Sequence, residues 1–201
     1  LNRDILDESI KKITEKRVVI DVGSSAPFNR QLSRYKSLFK NIRYYALDIN
    51  FHPELDIIAD IQNLPLKNNC IEAVICRDVL EHVPEPFKAI DEIHRILNKG
   101  GLLFISTPFL YPYHAADGQK DLYRFTKDGL EYMFRNFGEM KLQPCGGYIN
   151  TMLNFMTGFK FRNCFFIDIF EKPLSILLGF LRRKAINRLH HPAKFNILLK
   201  K

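Results

Sequence analysis

Residues 17–27 constrain this chain most. After Arg17 comes the β-branched run Val18, Val19, Ile20, which closes on Asp21, Val22 and the turn Gly23-Ser24-Ser25. Beyond Pro27 and Phe28, the apolar positions Leu32, Tyr35, Leu38 and Phe39 recur at helical spacing. A buried strand, a tight turn and a covering helix make the opening unit of a parallel α/β sheet. Ligands of open α/β sheets bind beyond the carboxyl ends of the strands, at such a turn. Gly23 lets backbone come close to a ligand because it carries no Cβ. A dinucleotide site wants G-x-G-x-x-G, which rests pyrophosphate on bare backbone at a helix N-terminus. Ser25 and Phe28 stand where the second and third glycines would be. That pattern disfavours NAD and FAD and suits a ligand without phosphates.

The opening signature recurs. Residues 43–48, 55–60 and 71–78 are further apolar runs, closing on Asp48, Asp60 and Asp78. Pro84-Glu85-Pro86 opens a helix with Ala89, Ile90, Ile93, Ile96 and Leu97 on one face, and Gly100-Gly101 is expected to end it. Residues 102–106 read as a fifth strand. A helix with Leu130, Met133, Phe134 and Phe137 inward is expected from a Thr126 cap to Gly138. A sixth strand is expected over 140–142, ended by Pro144, and a last one over 194–199. Residues 1–16 form a short amphipathic helix. The pattern is one α/β domain over 1–201, a Rossmann-like, mostly parallel sheet with helices on both faces.

Hydrophobic residues make up 46% of the 201, enough for a core. The net charge of +8 is concentrated in 182–201, which holds seven Lys/Arg and no acid and leaves 1–181 at +1. Such a tail fits an anionic surface or a solvated end. The four cysteines have no C-x-x-C or ligand spacing, so reduced thiols and no metal site are expected. With no secretory leader pattern at the start, a cytoplasmic location is expected.

The chain resembles the class I S-adenosylmethionine-dependent methyltransferases, in particular the broad group related to ubiquinone and menaquinone biosynthesis. The resemblance rests on Val19-Ile20-Asp21-Val22-Gly23, Ala46-Leu47-Asp48, Ala59-Asp60-Ile61, Leu64-Pro65-Leu66, Val79-Leu80-Glu81-His82-Val83 and Glu92 through Gly101, in that order. It covers 17–148 and the last strand. The family fold has seven strands, the last antiparallel, and its cofactor is S-adenosylmethionine. The family's D-x-G-x-G lacks its second glycine here.

The resemblance implies a role for each acid. Asp21, Gly23, Ser24 and Ser25 would hold the methionine end, with Ser25 offering its N–H there. Asp48, with Ile49 beside it, would take the ribose diol. Asp60 and the Ile61 N–H would read adenine. Arg77, Asp78 and His82 would lie near the sulfonium, whereas Glu81 reads as a structural turn.

The loop 107–126 is long for a connection without a task. It mixes Phe109, Tyr111, Tyr113 and Arg124, expected on the substrate, with His114, Asp117 and Asp121, expected in catalysis. His114 is the candidate base for a hydroxyl acceptor. A similar aromatic run occurs in methyltransferases linked to cell-surface glycan assembly. An alternative for the loop is a self-packed lid in which Arg124–Asp121 is structural.

The Phe-rich insert, 149–192, could cap the acceptor pocket, extend the core or form a homodimer surface. It could also lie on an anionic membrane through 165–184, which would make the protein membrane-peripheral. The expected activity is methyl transfer to a small-molecule or glycan-type acceptor, with O-methylation favoured. The alternatives are an RNA or protein methyltransferase, against which stands the lack of a nucleic-acid module, and a non-catalytic S-adenosylmethionine-binding protein.

Overall fold

The computed structural model describes residues 5–28, 30–115, 119–147, 151–152 and 192–201. Asp117 and nearly all of 149–192, including 165–184, lie outside the described residues.

Helix α1 (Ile5–Ile13) is followed by β1 (Val18–Val22), a 3₁₀ segment (Arg30–Phe39), β2 (Arg43–Asp48), β3 (Ile57–Ile58) and β4 (Ile71–Arg77). A short 3₁₀ turn (Leu80–His82), α2 (Pro86–Ile96), β5 (Leu97–Pro108), α3 (Lys127–Met133), β6 (Glu139–Cys145) and β7 (Lys194–Lys200) complete the order. Among the described residues, seven strands form one sheet in the order β3-β2-β1-β4-β5-β7-β6. β7 runs antiparallel to both neighbours, and the remaining pairs are parallel.

Period-two alternation splits the core between the two faces of the sheet. Val19, Ala73, Ile75 and Phe104 pack with Leu6, Ile10 and Ile13 of α1 and with Leu32 and Phe39 of the 3₁₀ segment. Ile20, Val74, Leu103 and Ile105 pack with Ile90 and Ile93 of α2 and Leu130 of α3. β1, β4 and β5 are thus apolar on both faces, as the covered centre of a parallel sheet requires.

Several boundaries differ from expectation. The segment after β1 is a 3₁₀ helix of ten residues, and β3 contracts to two residues. Helix α2 stops at Ile96 because Leu97 already adopts an extended conformation and pairs with Ile71 of β4. Gly100 and Gly101 therefore lie inside β5 and do not end the helix. They absorb a bulge: the register steps from Ile71–Leu97 to Ala73–Leu102, with Gly100 at φ +75°. Helix α3 ends at Met133, and Phe134 and Phe137 are buried from the turns that follow. β6 continues through Pro144, which an edge strand tolerates because, among the described residues, one side of its backbone is unpaired. Thr126 caps α3 as expected, its hydroxyl accepting from the Gly129 N–H at 3.1 Å.

Candidate active site

The chain order reverses direction across the sheet between β1 and β4, the topological switch point at which open α/β sheets bind ligands. A cavity of about 440 Å³ opens there. Every residue expected at the cofactor borders it: Asp21, Gly23, Ser24 and Ser25 after β1, Asp48 and Ile49 after β2, Asp60 and Ile61 after β3, and Arg77, Asp78 and His82 after β4.

The floor is the turn after β1. The Gly23 and Ser24 N–H groups both donate to the Leu47 carbonyl, at 2.7 and 3.3 Å. Gly23 has φ +69°, and a Cβ there would stand 2.2 Å from Val79 Cγ2. Glycine is thus demanded both by conformation and by the close approach of Val79. The Ser24 hydroxyl is buried and, among the described residues, has no hydrogen-bond partner. An orphaned hydroxyl on the wall of a cofactor-sized cavity fits a polar ligand such as S-adenosylmethionine.

Asp48 ends β2 with both carboxylate oxygens engaged. Oδ2 accepts the Ser25 N–H at 3.0 Å and Oδ1 accepts the Asn50 N–H at 2.9 Å. Each oxygen keeps a second lone pair, so a ribose diol can still be accepted. The Ser25 N–H, expected at the methionine end, is directed at Asp48 instead, because Ser25 adopts φ +54°. Asp60 accepts from the backbone and the side chain of Gln62.

Asp21 is 3% exposed. Burial pushes its carboxyl up from 3.8 to about 7, opposed by the Tyr44 hydroxyl, which donates to Oδ2 at 2.5 Å, and by the Arg77 guanidinium. Tyr44 stacks on Phe28, with ring centroids 4.2 Å apart, and β2 lies beside β1 to bring the hydroxyl there. Asp78 sits at φ +53°, accepts the Ser106 hydroxyl at 2.9 Å and lies 3.6 Å from Lys194 Nζ.

His82 and His114 face each other on the β4 side of the cavity, ring centroids 5.1 Å apart. Behind them lies Glu81, 0% exposed, with neither carboxylate oxygen hydrogen-bonded among the described residues. His114 Nε2 approaches Glu81 Oε1 at 3.7 Å, a charge contact beyond hydrogen-bond range. The Glu81 carboxylate raises the His114 pKa above the ordinary imidazole value, and partial burial opposes it.

Asp121 stands behind His114, off the cavity wall. Its Oδ2 accepts the His114 N–H at 2.9 Å and the Arg124 Nη2–H at 2.6 Å. The Arg124 guanidinium holds its carboxyl down to about 2. Arg124 also donates to the Tyr111 carbonyl at 3.1 Å and the Pro112 carbonyl at 2.9 Å, so it ties the loop to itself. Tyr111 meets the His114 ring edge-on, Phe109 packs on Phe195, and Tyr113 is 78% exposed. None of Phe109, Tyr111, Tyr113 and Arg124 borders the cavity. Glu81, read from the sequence as a structural turn, forms part of the polar group at the site. Its signal was its place beside His82 immediately beyond a strand end.

Comparison with known proteins agrees with this geometry. Residues 21–105 match the family described as "Methyltransferase domain". An uncharacterised protein of Methanocaldococcus jannaschii is 35% identical over 106 residues, 48% of this chain and 44% of that protein. A ubiquinone biosynthesis O-methyltransferase of Xanthomonas oryzae pv. oryzae is 29% identical over 103 residues, 51% of this chain and 38% of that protein. The matched segments thus span less than half of these curated relatives. Among solved structures, a SAM-dependent methyltransferase from Archaeoglobus fulgidus superposes with TM-score 0.59 at 14% identity, covering 98% of this chain and 91% of that one. A Haemonchus contortus phosphoethanolamine N-methyltransferase, solved with S-adenosylhomocysteine, gives TM-score 0.59 at 12% identity, covering 96% and 51%. Residues 21–105 thus match the methyltransferase-domain family, and the strand order, with its acids around the β1–β4 cavity, is the fold of solved S-adenosylmethionine-dependent methyltransferases.

Proposed function

We propose that this chain transfers the methyl group of S-adenosylmethionine to an oxygen of a small-molecule or glycan-type acceptor. The observation that carries the reading is the division of the cavity. Carboxylates at the ends of β2 and β3 border one side, and the imidazoles of His82 and His114 border the other. The first side suits the ribose and adenine of the cofactor. The second suits an acceptor hydroxyl that must lose its proton.

In the transfer, the acceptor oxygen attacks the methyl carbon in line with the sulfonium. The C–O bond forms as the C–S bond breaks, and the bonding pair returns to sulfur to give S-adenosylhomocysteine. The protein's task is to hold oxygen and carbon about 3 Å apart and keep water away. The acceptor hydroxyl loses its proton beside the Glu81–His82–His114 group. Resemblance to a protein named as a ubiquinone biosynthesis O-methyltransferase supports oxygen as the acceptor atom.

Two measurements test the reading. Isothermal titration should show one S-adenosylhomocysteine per chain, and absence of binding overturns the proposal altogether. Isotope-labelled S-adenosylmethionine is then offered with phenols, catechols and free sugars. Label on oxygen supports the assignment, whereas label on nitrogen or carbon overturns the choice of acceptor atom.

A further inference from the structure

The Glu81 carboxylate is fully buried, and among the described residues neither oxygen has a hydrogen-bond partner. A buried carboxylate without donors weighs heavily against a fold unless another charge compensates it. Two imidazoles face it. His114 Nε2 lies 3.7 Å and His82 Nε2 4.0 Å from Glu81 Oε1. Both separations are too long for hydrogen bonds.

The tautomers follow from the other ring nitrogens. His82 Nδ1 lies 2.7 Å from the Lys120 carbonyl, which can only accept, so Nδ1 carries the hydrogen. His114 Nδ1 lies 3.2 Å from the Pro112 carbonyl and 3.3 Å from Asp121 Oδ2, two nearer acceptors that outweigh the more distant donor Arg124 Nη2 at 3.4 Å. In the neutral rings both Nε2 lone pairs are therefore free and converge with the Glu81 carboxylate. One ligand atom from each of the three residues lies within 4.8 Å of the others.

These separations approach those of a metal site. With bonds of about 2.1 Å, tetrahedral ligand atoms stand about 3.4 Å apart, and no two exceed about 4.2 Å. The two contacts to Glu81 Oε1 fall inside that limit. A backbone carbonyl on each Nδ1 is also the outer-shell arrangement that orients a ligating histidine. We propose that Glu81, His82 and His114 bind one divalent transition-metal ion of the zinc or cobalt type. Imidazole nitrogens favour such an ion over Mg²⁺ or Ca²⁺, which take oxygen ligands.

Three protein ligands leave a fourth position, and His82 and His114 border the cavity. On the methyl-transfer reading, which this part of the inference rests on, that position receives the acceptor hydroxyl. A Lewis acid there lowers the hydroxyl pKa, its proton passes to solvent, and the oxygen attacks methyl as the anion. The His114 lone pair is then committed to the ion.

The test uses the full chain, stripped with EDTA and titrated with CoCl₂. Visible d–d absorption and equilibrium dialysis should show one Co²⁺ per chain, displaced by Zn²⁺ and not by equimolar Mg²⁺. His82→Gln and His114→Gln should each weaken Co²⁺ about tenfold or more, with near-ultraviolet circular dichroism confirming the native fold. Absence of stoichiometric Co²⁺, or full affinity in both folded histidine variants, overturns the site. S-adenosylhomocysteine is titrated into the same samples. Cofactor binding without metal binding overturns this inference alone. Metal binding without cofactor binding supports the site and overturns the methyl-transfer reading.

Discussion

Ser25 latches the turn after β1 to the end of β2 by donating its N–H to Asp48 Oδ2 at 3.0 Å, from a backbone at φ +54°. The bond depends on the backbone of one residue and the side chain of the other, so two substitutions separate them. Ser25→Gly keeps the N–H and removes the left-handed strain, and should stabilise the protein by about 1 kcal/mol. Asp48→Ala removes the acceptor. It should weaken S-adenosylhomocysteine about tenfold to a hundredfold, the scale of charge-assisted hydrogen bonds worth about 1.5–3 kcal/mol. Urea denaturation and isothermal titration read the two effects.

Asp21 predicts a pH dependence. Its folded pKa of about 7 lies above the ordinary 3.8, so the fold favours the protonated form. Stability from this group is greatest below the unfolded value and is lost as pH rises from about 4 to about 7. Asp21→Asn still accepts from the Tyr44 hydroxyl but cannot ionise. Its thermal midpoint should exceed that of the unsubstituted protein at pH 8, and the advantage should vanish by pH 4. At about 1.36 kcal/mol per pKa unit, the full difference is a few kcal/mol.

Gly23→Ala should be among the most damaging small substitutions. The new methyl meets Val79 Cγ2 at 2.2 Å and the backbone remains at φ +69°. Overpacking of about 1–3 kcal/mol adds to left-handed strain of about 1–2 kcal/mol. The double variant Gly23→Ala/Val79→Ala removes the clash and leaves the strain, so it should regain part of the loss relative to Val79→Ala alone. Chemical denaturation of the four proteins completes the cycle.

Arg124 is expected to hold the loop and not the substrate. Arg124→Gln frees the Tyr111 and Pro112 carbonyls and leaves Asp121 without its guanidinium. Trypsin should then cut faster at Lys120. The stability lost belongs to a depressed acid, so it is present at neutral pH and disappears as pH falls from about 4 toward 2.

The strand-end acids were legible because each closes a short apolar run, and a run's end is a local feature of sequence. Asp21, Asp48, Asp60 and Asp78 all reach the cavity by that rule. The Glu81–His82–His114 group was not legible, since His114 comes from a loop beyond β5 and only the fold brings it to the turn after β4. The aromatic loop invited a substrate reading because exposed aromatic residues suit flat ligands. Its order comes from one guanidinium satisfying three backbone carbonyls and a carboxylate. The end of α2 is not legible in its residues alone, because pairing of Leu97 with β4 overrides the glycine stop signal.

β7 inserts between β5 and β6 and supplies both with their antiparallel partner. During synthesis, therefore, β1–β5 leave the ribosome with a raw hydrogen-bonding edge, and β6 has no neighbour to join. Closure waits on β7, when Phe195, Ile197 and Leu199 zip into the gap. A nascent chain stalled before that point would display a template for pairing with other unfinished copies, so chaperone engagement should peak just before β7 emerges.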